Sequence, residues 1–112
     1  MANTFAEFQI LGHVGSVKRV GATLRISVAA EYGRKDDDGK FQSKPFWNQV
    51  VIFKEARFKW LEANIGPGDL VLARGTLRDT NYEKDGVKVY TTTLDADEFE
   101  LLAKRPESPT HA

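Results

Sequence analysis

The chain has 112 residues, 41% of them hydrophobic, which is enough for one modest core and too little for a second domain. Without a cysteine it has no disulfide, thiolate metal site or cysteine nucleophile, and no stretch approaches the roughly 20 apolar residues of a spanning helix. Formal net charge is zero, but residues 1–90 carry 14 basic and 11 acidic side chains while residues 91–112 carry 2 and 5, so the body is mildly basic and the end acidic. No targeting signal precedes Phe8, and a cytoplasmic protein is expected.

In chain order, Phe8, Ile10, Gly12 and Val14 alternate, and Gly12, Gly15 and Gly21 offer places for bending or bulging, which predicts a long, bent first strand. Thr23 to Tyr32 alternates more strictly: Leu24, Ile26, Val28 and Ala30 share one face, and Arg25, Ser27, Ala29 and Glu31 the other. Gly33 to Lys44 is polar, and its Asp36-Asp37-Asp38-Gly39 run suits the tip of a hairpin. A third strand is expected over about Pro45 to Phe53, apolar on both faces, with Phe46, Val50 and Ile52 opposite Trp47, Val51 and Phe53. From Lys54 to Ile65 the spacing of Phe58, Leu61 and Ile65 becomes helical, and Gly66-Pro67-Gly68 stops it. Strands resume at Leu70 to Leu77 and Val87 to Ala96, joined by Arg78 to Gly86, where Lys84-Asp85-Gly86 signals a turn. Residues 104–112, with Pro106 and Pro109, read as a frayed tail beyond a domain of residues 1–103.

Three strands, one short helix and two strands make an all-β chain with the layout of the five-stranded oligonucleotide-binding (OB) Greek-key barrel. Trp47 and Phe53 share a face with Gln49, and base stacking on such aromatics tolerates any sequence. Periodicity alone leaves open whether this face stacks bases or packs beneath the helix or against a subunit. Basic and aromatic residues also interleave at both hairpins: Tyr32 with Arg34 and Lys35, and Tyr82 with Arg78 and Lys84. Catalytic readings lack parts. His13 is alone in the body, Ser16, Ser27 and Ser43 have no evident base, and Asp36 to Asp38 fit a solvated turn better than an ion loop, so neither an enzyme nor a cofactor or metal is expected.

Four segments, Gln9 to Gly15, Trp47 to Phe53, Gly68 to Arg78 and Asp85 to Thr92, resemble, in order, the signature blocks of bacterial and phage single-stranded DNA-binding proteins. The resemblance spans roughly Phe8 to Ala96. It implies an OB barrel, a homotetramer or a dimer, and coating of single-stranded DNA in replication, recombination or repair. It matches Trp47 and Phe53 to the stacking aromatics of the third strand and Tyr82 to that of the last hairpin, with Tyr32 near a further stacking position. Arg25, Arg34, Lys35, Gln49, Arg74, Arg78, Lys84 and Lys88 complete the expected DNA contacts, and His13 and Asn48 are expected near a subunit interface. Two departures stand out. Asp79, Thr80 and Asn81 separate Arg78 from Tyr82 where basic residues are usual, and Gln49 takes a place that is often basic. The sequence also ends Pro109-Thr110-His111-Ala112, without the acidic, apolar-tipped tail that recruits partner enzymes, as expected of a phage, plasmid or mobile-element homologue or a specialised paralogue. The competing reading is a barrel of the same kind serving as a protein-interaction or primosomal accessory subunit, its aromatic face against protein.

Overall fold

The computed structural model describes residues 4–106. Five strands, β1 (Glu7–Val20), β2 (Thr23–Lys35), β3 (Phe41–Ile52), β4 (Leu70–Lys84) and β5 (Val87–Ala103), close a barrel in the order β1-β2-β3-β5-β4, with β4 returning to β1. Between β3 and β4 lie a 3₁₀ turn, Glu55–Arg57, and the helix α1, Phe58–Asn64. This is the expected OB architecture.

The alternation read from β2 becomes the core. Leu24, Ile26 and Val28 are fully buried against Val50 and Ile52 of β3 and Val71 and Ala73 of β4. Helical spacing places Phe58, Leu61 and Ile65 into the same cluster, so α1 plugs the end of the barrel. Arg19 holds this plug from outside, its guanidinium 5.3 Å from the Phe58 ring centroid and bonded to the Glu62 carboxylate. At Gly12 the carbonyl of Ala29 comes so close that an added methyl would sit 2.1 Å from its oxygen, which accounts for a glycine where β1 crosses β2.

The strands run past the expected boundaries at both long hairpins: β2 and β3 stay paired through most of the expected Gly33–Lys44 turn, to Lys35↔Phe41, which leaves Asp36–Lys40 as the turn. The β4–β5 hairpin pairs all the way to Lys84↔Val87 around an Asp85-Gly86 turn whose two residues have φ of 54° and 79°, so Arg78 to Lys84 is strand, not loop. Likewise β5 continues to Ala103, because a register shift opposite Arg74/Gly75 leaves Asp97 as an extra residue; the alternation breaks after Ala96 and resumes at Phe99.

The expected tail does not begin frayed. Asp69, 2% exposed, accepts hydrogen bonds from the Arg105 N–H (2.8 Å), the Lys104 ammonium (2.9 Å) and the Gly66 N–H (2.9 Å). Burial opposes its charge, but these donors outweigh it and hold the carboxyl below its ordinary value of 3.8. The chain is thereby fastened to the Gly66–Asp69 turn, which bonds back to Val14 of β1. The rest of the expected tail, residues 107–112, lies outside the described residues.

Only Val50↔Leu94 and Val51↔Asp95 pair β3 with β5, in parallel. Beyond this seam each hairpin continues as a free two-stranded arm: one of β2 and β3, reaching Lys35↔Phe41, and one of β4 and β5. Between the arms lies a groove.

Candidate nucleic-acid interface

The groove encloses about 790 Å³. One wall is β3 with its neighbour β2, contributing Trp47, Gln49, Val51 and Arg25; the other is the β4–β5 arm, contributing Tyr82 and the hydroxyls of Thr80, Thr91 and Thr93. The structure thus brings Trp47, Gln49, Arg25 and Tyr82 together from separate stretches of sequence.

Trp47 pairs with Ala29 of β2, and its ring reaches across that strand to Gly15 of β1. A methyl group at Gly15 would stand 2.4 Å from the ring, so the indole rests on bare backbone at the point where β1 bulges between Val14 and Ser16. Below it Ala29 is buried, and Ser16 and Ser27 bond to each other at 2.9 Å. Small residues therefore seat the indole, yet it stays 58% exposed. Of the alternatives left by periodicity, packing beneath the helix is ruled out: Trp47 lies on the sheet and is exposed. Phe53 follows β3 outside the groove lining, also half-exposed.

Arg25 donates to the Gln49 side-chain oxygen at 3.3 Å, while its Nε is buried without a partner. The Arg25 guanidinium lines the groove, and a guanidinium there is suited to a phosphate oxygen. The other expected cations divide. Arg78 is paired with Asp95, and Arg74 lies 3.8 Å from Glu98, so both charges are partly neutralised. Arg25, Arg34, Lys35, Lys84 and Lys88 have no carboxylate partner among the described residues. Lys84 and Lys88 sit near the tip of the β4–β5 arm and Lys35 at the end of β2, where an inserted phosphate chain could reach them.

Tyr32 and Arg34 are elsewhere. They line a second depression, of about 650 Å³, with Lys44 and Phe46 on the β2–β3 arm. Phe46 keeps the same strand face as Val50 and Ile52 but lies beyond the barrel and is exposed. The hairpin tip is ordered by Asp36, whose carboxylate accepts from the N–H groups of Asp38 and Lys40 (both 2.9 Å) and from Gln42 (3.1 Å). Led by the Lys40 bond, these donors lower the Asp36 carboxyl below its ordinary value, so it serves the turn. The threonine row of the opposite arm was not singled out in sequence; the alternation of Thr91 and Thr93 was its visible signal. Tyr90 and Trp60, both well exposed, lie outside both grooves.

A family model, the single-strand binding protein family, matches residues 7–102. A single-stranded DNA-binding protein of Xanthomonas axonopodis pv. citri is 36% identical over 90 residues, covering 77% of this chain and 48% of that protein. The chain spans about half the length of the first curated relatives it matches. Among solved structures, the mitochondrial single-stranded DNA binding protein of S. cerevisiae superposes with a TM-score of 0.68 at 21% identity, covering 92% of this chain and all of the other. A Plasmodium falciparum SSB solved in complex with ssDNA gives 0.67 at 16% identity, covering 93% and 98%. At these identities the structural likenesses establish the fold.

Proposed function

Because the chain belongs to the single-strand binding protein family, we propose that it binds single-stranded DNA without sequence preference, in replication, recombination or repair. The observation that carries this reading is the seating of Trp47 on Gly15, with Tyr82 and Arg25 on the same groove. Bases stack on Trp47 and Tyr82, with Phe53 extending the path, while Arg25 and the arm cations Lys35, Lys84 and Lys88 hold phosphates. Pairing of Arg78 with Asp95 and of Arg74 with Glu98 removes two of the seven expected cations, so charge assists the stacking with the other five. Stacking needs unpaired bases, and duplex DNA offers none, so single strands are favoured over duplex.

The test is titration of single-stranded DNA, duplex DNA and RNA of equal length at several salt concentrations. Saturable quenching by the single strand, weakening with salt, and little response to duplex are expected. No single-strand binding at low salt, together with capture by a replication protein, would favour the accessory-subunit reading instead.

An assembly of several chains, a homotetramer or else a dimer, belongs to the same proposal. Its support is the apolar side chains left on the barrel exterior, Leu11 on β1 and Leu102 on β5, 57% and 49% exposed. Light scattering at the monomer mass would contradict it. The working place is the cytoplasm, on the nucleoid; no helix among the described residues is long and apolar enough to cross a membrane.

A further inference from the structure

The end of the barrel remote from both arms carries a side chain that neither the core nor the groove uses. β3 runs from the arm tip at Phe41 to Ile52 and enters the 3₁₀ turn and α1, while β4 leaves from Leu70 and β5 arrives at Ala103. Phe58, Leu61 and Ile65 turn one stripe of this segment into the core; Trp60 lies off that stripe and is 53% exposed. An indole left in water adds nothing to the barrel, yet tryptophan and arginine are the residues that most often anchor protein partners.

The surroundings of Trp60 are fixed. Arg57 precedes it by three residues and Asn64 follows by four, so both stand beside it on one helix face. Arg57 donates to the Asp97 carbonyl at 2.7 Å, the Asn64 amide to the Trp60 carbonyl at 2.8 Å, and Lys104 to the Asn64 carbonyl at 2.8 Å. Charge at this end is unbalanced. Arg19 takes Glu62 and Lys104 takes the buried Asp69, which leaves Arg57, Lys59 and Arg105 without a carboxylate partner among the described residues. Arg105 lies across Gly68, where an added methyl would stand 2.7 Å from its side chain.

We infer that this end of the barrel, centred on Trp60, is a docking site for a short acidic segment of another protein that carries an apolar side chain beside its carboxylates. Charge names the occupant: the indole takes the apolar side chain, Arg57 takes a carboxylate on the same helix face, and Lys59 and Arg105 attract the remaining negative charge. A nucleic-acid strand fits worse, because it needs a row of rings along a cationic track. Here a single ring stands outside both grooves, with the exposed acidic residues Glu55 and Asp97 near Arg57. Docking at this end leaves the groove free, so partner and single strand are held together.

The chain has two tryptophans, and their two indole N–H signals in a nitrogen–proton NMR spectrum report the two ends of the molecule separately. The probe is a synthetic peptide of aspartate and glutamate ending in phenylalanine, with a control in which lysine replaces every acid. With the groove filled by oligothymidine, the acidic peptide is expected to shift the Trp60 signal saturably, less so as salt rises, while the control shifts neither signal. Trp60→Ala and Arg57→Gln should each weaken the peptide about tenfold and leave oligothymidine affinity unchanged; glutamine keeps a donor for the Asp97 carbonyl. Displacement of the peptide by oligothymidine, an equal response to the lysine control, or full peptide affinity in both variants would overturn the inference. So would oligothymidine shifting Trp60, which makes this end a nucleic-acid contact, or a lower mass of Trp60→Ala in light scattering, which makes it a contact between copies. Failure of oligothymidine to move the Trp47 signal would sink the groove assignment alone.

Discussion

The barrel and its two arms are built from the same strands but obey different rules. Within the barrel, alternate residues of β2 and β3 vanish from solvent: Leu24, Ile26, Val50 and Ile52 are fully buried. Further along the same strands Tyr32 and Phe46 remain exposed although they continue the same alternation, and Phe41 is exposed on the other face. An arm two strands wide has no third layer to cover it, so its aromatics are held by neighbours on the ribbon instead. Phe41 lies over Gly33, while at the base of the arm, where β1 still flanks β2, Trp47 lies over Gly15 of β1. The lesson is that one pleated strand can supply core at one end and a binding surface at the other.

That contrast can be broken most severely from the barrel side. Leu61→Ala removes a buried plug residue of α1 and is expected to cost about 2–5 kcal/mol of stability in urea unfolding, while single-strand affinity of the remaining folded protein is unchanged. Cutting Asp69 should cost less, about 1–3 kcal/mol for Asp69→Asn, because Lys104 is solvent-exposed and only the carboxylate is buried. Its pH dependence follows from the lowered carboxyl. The native state favours the charged form more than the unfolded state does, so this stabilisation is fully present above the ordinary value of 3.8 and is lost as pH falls through the lower native value. Asp69→Asn should flatten that acid limb in thermal melts.

On the arm side the effects fall on binding. Gly15→Ala pushes a methyl into the Trp47 ring and is expected to weaken single-strand binding several-fold, about 1 kcal/mol, with a shift in tryptophan emission. An unaltered affinity would mean that the seat of the ring is irrelevant. Smallest is Arg25→Gln, which should reduce the slope of log affinity against log salt by about 0.7 for a single strand, with little change at high salt.

The barrel was legible in sequence because its information is local. Strict alternation in Leu24 to Ala30, helical spacing of Phe58, Leu61 and Ile65, and the Asp85-Gly86 turn each lie within a few residues, and each element appears where its pattern stands. The second half of β5 was hidden because the extra residue at Asp97 inverts the alternation, and nothing beside it in the chain announces the shift. Exposure of Phe46 was equally hidden: its spacing from Val50 is that of a core residue, and only the distance an arm projects past the barrel decides otherwise. The site was legible as residue types, Trp47, Tyr82 and Arg25 among them, but not as a sorting. Neutralisation of Arg78 by Asp95 and the seating of Trp47 on Gly15 join residues 17 and 32 positions apart. The division of Tyr32 from Trp47 onto opposite faces depends on register, which their separate positions do not state.

The central claim is that Trp47 is a stacking surface and not a structural prop. It is tested most directly by measuring oligothymidine affinity and urea stability on the same Trp47→Ala preparation. The expected result is a loss of about 1–3 kcal/mol in binding with stability changed by less than about 1 kcal/mol, as befits a half-exposed ring outside the core. Undiminished binding, or a large fall in stability accompanying the loss, would contradict it.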